Sequence, residues 1–253
     1  MEFSFSEMWP FLFVLATLGL CFGSFSNVLI ARMPQDESIG GRSRCPHCGH
    51  TLSVRDIVPL LSFLWLQGKC RLCRDPIALT YPVVELLGAL AFLCAGWITS
   101  FQMISAVPLG LALWAMTTLA IIDARTQMIP DMMTLALAVS ALVYQLTIGT
   151  PVWSGAILGV SFFALQWIVS RGAWVGSGDI LLAGALGLLL GSWRYMLVSL
   201  MASYIIGALL VSVLLGLGYL KRNQHVAFGP FLVAGAVVIL IAGDWILRVM
   251  LPL

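Results

Sequence analysis

The chain has 253 residues, 60% hydrophobic and only 9% charged. Soluble domains run at about 45–50% apolar and about 25% charged, so an ordinary water-soluble globule is excluded and lipid is the expected solvent. A formal net charge of +2 says nothing about nucleic acid by itself, and with no basic stripe no nucleic-acid partner is expected.

The first apolar run covers 9–30, about the length of a membrane span. Ahead of it stand Glu2 and Glu7 and no Lys or Arg, the wrong sign for a signal-peptide leader. The run ends in Gly23-Ser24-Phe25-Ser26-Asn27, small residues that allow close helix packing, followed by Arg32 and Pro34.

Residues 33–79 form the one polar insertion. It carries Cys45-Pro46-His47-Cys48 and Cys70-Arg71-Leu72-Cys73, separated by the 21 residues from 49 to 69. Two such pairs fit a tetrahedral four-thiolate zinc site, structural because no ligand position stays open for water. Two disulfides are the alternative, and a cytosolic loop would exclude them because thiols stay reduced there. His47 and His50 read as solvated surface histidines. Cys21 and Cys94, alone in apolar runs, read as packing residues.

From Tyr81 onward the chain is apolar again. Runs at 82–99, 104–122, 132–149, 152–170, 179–192, 195–219 and 227–249 bring the expected spans to eight. The 179–192 run is short, and Gly184, Gly187 and Gly191 weaken it as a lone helix while suiting tight packing. The expected fold is therefore an all-α polytopic membrane protein: a first transmembrane helix (1–32), a four-cysteine zinc-binding loop domain (33–79) and a seven-helix membrane domain (80–253). With eight spans, one side takes Arg32, Arg42, Arg44, Arg55, Lys69, Arg71, Arg74, Arg125, Arg171, Lys221 and Arg222, and the other takes Arg194 and Arg248. That is 11 of the 13 Lys and Arg on one side. The positive-inside rule then predicts a cytosolic zinc loop and both termini outside.

With Glu2, Glu7 and Asp244 near the outer side and Asp36, Glu37, Asp56 and Asp75 in the insertion, four acids remain. Glu85, about a turn inside the second span, reads as a buried carboxylate bonded to backbone or to Arg. Asp123 closes the third span, Asp131 follows Pro130 and reads as an N-cap, and Asp179 opens the sixth in Gly176-Ser177-Gly178-Asp179. Gly176 and Gly178 let the backbone turn tightly and let another segment approach; an Asp there also suits an N-cap. A charge at a membrane-spanning helix is expensive and needs a reason. No Ser-His-Asp set, Walker loop or dinucleotide fingerprint is present. Paired carboxylates remain: two carboxyls within about 3 Å cannot both ionise, so they share a proton. One then acts as base on water while the other donates to a scissile carbonyl.

These residues resemble the type IV prepilin leader peptidases, the GxGD class of intramembrane aspartic proteases. The likeness begins with Gly23–Val28, Arg32 and Pro34, then Gly41–Cys48, Pro59–Ser62, Gly68–Cys73 and Tyr81–Glu85. It continues with Ile122-Asp123, Ile129-Pro130-Asp131, Gly176–Asp179 and Phe228–Phe231. The resemblance implies that Asp123 and Asp179 are catalytic, with Gly176, Gly178 and Asp131 as supporting motif residues. It also implies a bacterial inner-membrane enzyme that cuts the leader from type IV prepilins or type II secretion pseudopilins at the cytosolic face. It further implies methylation of the new N-terminus with S-adenosylmethionine, at residues the sequence does not identify. Leu181 stands where many relatives carry Lys, and Thr80 where Arg is frequent. A proton or cation transporter and a zinc-dependent scaffold are the competing classes. The acids cluster at one membrane edge rather than at mid-depth, which argues against the transporter. A scaffold gives no reason for two costly Asp residues.

Overall fold

The computed structural model describes residues 5–221 and 225–250. Glu2 and Arg222, which entered the charge count above, lie outside them. The helices are α1 (Phe5–Arg32), α2 (Leu61–Trp65), α3 (Thr80–Ile98), α4 (Met103–Thr126), α5 (Asp131–Ile148), α6 (Ser154–Ser170), α7 (Ser177–Leu190), α8 (Trp193–Gly216) and α9 (Gly229–Met250). Among the described residues the only extended pairings are two isolated bridges in the insertion, Arg44 with Thr51 and Lys69 with Pro76.

Each of the eight apolar runs folds as a helix, but only six have the length and apolarity to cross a membrane: α1, α3, α4, α5, α8 and α9. Helices α6 and α7 have 17 and 14 residues. At 1.5 Å per residue they reach about 26 and 21 Å, short of a hydrocarbon core about 30 Å thick. The protein is a multi-pass helical membrane protein with six helices of full span length and two shorter apolar ones, α6 and α7.

The chain divides into two compact units, Met1–Thr118 and Leu119–Leu253, with the boundary inside α4. In the first, α1 and α3 meet backbone to backbone. A Cβ on Gly23 would lie 2.7 Å from Glu85 Cα, and one on Gly19 would lie 2.5 Å from the Gly88 carbonyl oxygen. With little hydrophobic drive between helices in lipid, close approach over glycines is what supplies packing energy. Trp114 donates from its indole N–H to the Ser26 hydroxyl at 2.6 Å, and Ser26 and Thr118 share a further bond at 2.8 Å. Cys21 and Cys94 do not fill the core as expected: both are exposed, on helix faces suited to lipid.

In the second unit α7 is the most enclosed element. Apart from Gly184, every residue from Leu182 to Leu190 is buried. Its glycines do what the sequence suggested. A Cβ on Gly155 of α6 would sit 2.7 Å from the Gly191 carbonyl oxygen, and one on Gly159 would sit 2.5 Å from that of Ala183. The α7 C-terminus is buried, so its free carbonyls need donors. Gln145 of α5 supplies them, reaching Leu188 and Leu189 at 3.2 Å each. A helix held this way inside its own unit has no need to be membrane-length.

Candidate active site and metal centre

Asp123 sits in the last turn of α4 and is 5% exposed. Its Oδ2 accepts the Gly229 N–H at 2.8 Å, from the first residue of α9. A helix N-terminus offers free N–H groups and a positive dipole end, a favourable setting for a carboxylate. Gly229 is fitted to this contact, because a Cβ there would lie 2.6 Å from that same oxygen. Gln127, one residue past α4 with φ +54°, donates to the His225 carbonyl at 2.8 Å and ties the turn after Asp123 to the segment leading into α9.

Asp179 is partly exposed and occupies the third position of α7, with Gly176 as the N-cap. Its Oδ2 accepts the Gly176 N–H at 3.2 Å, which is half of a capping box. So Asp179 is not itself the N-cap, as the sequence allowed, but reaches back to it. Neither motif glycine has a positive φ, so the entry to α7 does not draw on the left-handed freedom of glycine. The expected close approach is present at Gly178, where a Cβ would lie 2.9 Å from Cβ of Ile129 in the turn between α4 and α5. Asp179 is near enough for its charge to act on Asp123. Asp131 is exposed and starts α5, with Pro130 as its N-cap rather than Asp131 itself. Its carboxylate therefore acts on the helix dipole instead of capping a free N–H.

The four insertion cysteines converge: the sulfurs of Cys45, Cys48, Cys70 and Cys73 all lie within 4.8 Å of one another, and no disulfide joins them. The two loops are built alike. The Cys45 N–H bonds the His50 carbonyl and the Gly49 N–H bonds Cys45, each at 2.9 Å; Cys70 with Asp75 and Arg74 with Cys70 repeat this at 2.8 and 3.1 Å. The residue after each pair, Gly49 or Arg74, has positive φ. Cys45 and Cys73 are 3.8 Å apart, matching the roughly 3.8 Å edge of a tetrahedron with metal–sulfur bonds of about 2.3 Å. Backbone N–H groups of Cys73 and Leu72 hold the Cys70 thiol down at about 7. Cys73 is pushed up to about 12, because burial and three neighbouring thiols outweigh the Asp75 N–H. Crowded thiols of this kind shed their protons to a divalent cation. His47 stays out of the cluster and faces Asp75 at 3.6 Å. Asp56 braces the insertion by accepting from Ser53 Oγ at 2.6 Å and from Arg71 at 2.7 Å, and these bonds hold its carboxyl below the usual range.

Residues 17–99 match the model for the bacterial peptidase A24 N-terminal domain, and 110–212 match the type IV leader peptidase family. A prepilin leader peptidase/N-methyltransferase of Aeromonas hydrophila is 32% identical over 98% of this chain and 96% of its own length. The chain belongs to the type IV leader peptidase family. An enzyme of the same name from Dickeya chrysanthemi is 33% identical over 96% of each chain. A type 4 prepilin-like proteins leader peptide-processing enzyme of Escherichia coli is 36% identical over 75% of this chain. No solved structure matches.

Within this leader peptidase the family segment 110–212 carries Asp123, Asp131, Gly176, Gly178 and Asp179, and 17–99 carries all four clustered cysteines. Gly229 lies beyond both. It falls within the Phe228–Phe231 motif, where the sequence alone assigns it no task. The available signal was a Gly-Pro pair opening an apolar run, which marks a helix start with a free N–H to offer. Glu85 is buried as expected, and its partner is the Leu60 N–H at 2.8 Å, not an Arg.

Proposed function

We propose that this chain is an intramembrane aspartic endopeptidase that removes the leader of type IV prepilins or type II secretion pseudopilins and methylates the new N-terminus. The observation that carries it is the setting of Asp123: a buried carboxylate with one oxygen bound by the α9 N-terminus and Asp179 within its field. Each Asp has its Oδ2 fixed by a backbone N–H, and the other oxygen is uncommitted among the described residues. The uncommitted oxygens are the pair to share one proton. The ionised Asp takes a proton from water, which attacks the scissile carbonyl carbon. The protonated Asp donates to the carbonyl oxygen, the other Asp passes the proton it took from water to the departing amine, and the first Asp recovers a proton from the diol as the new carboxyl group forms.

Cleavage is at the cytosolic edge of the inner membrane, with both termini periplasmic and the insertion cytosolic. The 11-to-2 division of Lys and Arg supports that orientation. The metal held by Cys45, Cys48, Cys70 and Cys73 is zinc in a structural role, the choice favoured by four thiolates in a tetrahedron. The methyl donor is S-adenosylmethionine, which supplies an electrophilic methyl group when bound. The test is incubation of purified protein with a prepilin peptide, with and without donor. Product masses should show leader loss in both cases and one added methyl only with donor. An uncut peptide would refute the reading.

A further inference from the structure

The dyad accounts for hydrolysis and leaves unplaced the second activity, methyl transfer, on which the following rests. The first unit contains a cavity of about 410 Å³, walled by the ends of α1 and α3 and by the insertion. Its size falls in the range of small-ligand sites, about 300–1,000 Å³. Glu85 lines it and is 9% exposed, yet faces no Lys, Arg or His within ion-pair distance among the described residues. Its neighbours are neutral donors, the Leu60 N–H at 2.8 Å and the Ser24 hydroxyl, and neither brings a positive charge. A buried carboxylate without a cation is costly unless something positive joins it. Arg44 also lines the cavity and makes no ion pair among the described residues, whereas Arg71 is committed to Asp56 and Arg32 to backbone carbonyls. Tyr81 and Phe63 border the same space.

A ligand suited to this wall carries a fixed cation for Glu85, a carboxylate for Arg44 and a planar ring for the aromatics. A sulfonium nucleoside has all three. We infer that the cavity between the α1 and α3 ends and the insertion is the methyl-donor site, with Glu85 facing the sulfonium and Arg44 the donor's carboxylate.

Binding is read by calorimetry on the full chain in detergent, with zinc content and thermal melting as fold controls. S-adenosylmethionine and its product, S-adenosylhomocysteine, which lacks the sulfonium charge, are the two probes. Glu85→Gln keeps an acceptor for Leu60 and removes the charge. It is expected to raise the Kd for S-adenosylmethionine at least ~10-fold and that for S-adenosylhomocysteine less than ~3-fold. Ala31→Trp fills the cavity away from Glu85 and is expected to abolish binding of both. If wild type binds both probes and neither variant changes either Kd, the cavity assignment is overturned while the bifunctional reading stands. A Kd change confined to a free-amine pilin peptide would overturn it too, because the carboxylate would then seat the substrate's ammonium. If wild type binds neither probe and makes no methylated product, the methylation reading fails and the site with it.

Discussion

Asp123 and Glu85 are anchored alike. Each is a buried carboxylate near the end of an apolar helix, and each takes one backbone N–H from a distant segment, Gly229 in one case and Leu60 in the other. They differ in what other charge is near. Asp123 has a second carboxylate in its field, while Glu85 has a cavity and an unpaired Arg44 on the same wall. A like charge favours proton sharing and acid–base work, whereas an empty space beside a lone carboxylate favours a cationic guest. The anchor keeps each acid in place, and the neighbour decides its chemistry.

The largest effect should come from breaking the first half of this contrast. Asp123→Asn or Asp179→Asn keeps shape and acceptor capacity but removes the shared proton. Leader cleavage in membranes should fall on the order of 10³-fold or more, with insertion unchanged. Normal processing by either variant would end the dyad reading. Next in size is the metal centre. Cys45→Ser or Cys73→Ser should reduce bound zinc from one per chain to none and open the insertion to protease. Cleavage should survive better than methylation, because the cysteines and the dyad belong to different units.

The two glycines ahead of Asp179 sharpen the contrast at smaller scale. Gly178→Ala places a Cβ 2.9 Å from that of Ile129, and overpacking of that kind costs about 1–3 kcal/mol. It should depress cleavage by displacing Asp179. Gly176→Ala meets nothing nearer than 3.5 Å, the Oδ2 of Asp179, and its φ of −75° suits any residue. Only a weaker N-cap is lost, about 1 kcal/mol or less. Equal effects from the two would show that close approach is not what the motif requires.

What the sequence made legible followed short-range rules. Cysteine spacing located the metal cluster because each pair is closed by its own turn. Hydropathy located all eight helices because burial in lipid is a property of local composition. The length of a lone span did not carry over to α7, which has 14 residues and is enclosed by its neighbours rather than by lipid. The bond between Gly229 and Asp123 joins residues 106 apart. No periodicity reports such a contact. The Glu85 partner escaped for the same reason: the Leu60 N–H becomes available only because the turn before α2 places it there, with φ +58°.

The smallest effect should be at Asp131, which separates a supporting acid from a working one. It is exposed, in the first turn of α5, with Pro130 rather than itself as the cap. Its charge then interacts only with the helix dipole, a contribution of about 0.3–1 kcal/mol that salt screens. Asp131→Asn should lower stability by no more than that, and the difference from wild type should shrink as ionic strength rises. Cleavage should drop by less than ~3-fold, orders of magnitude less than for Asp123→Asn. A loss at Asp131 as deep as at Asp123, unaffected by salt, would make it a third participant in the chemistry. A two-carboxylate mechanism would then be incomplete.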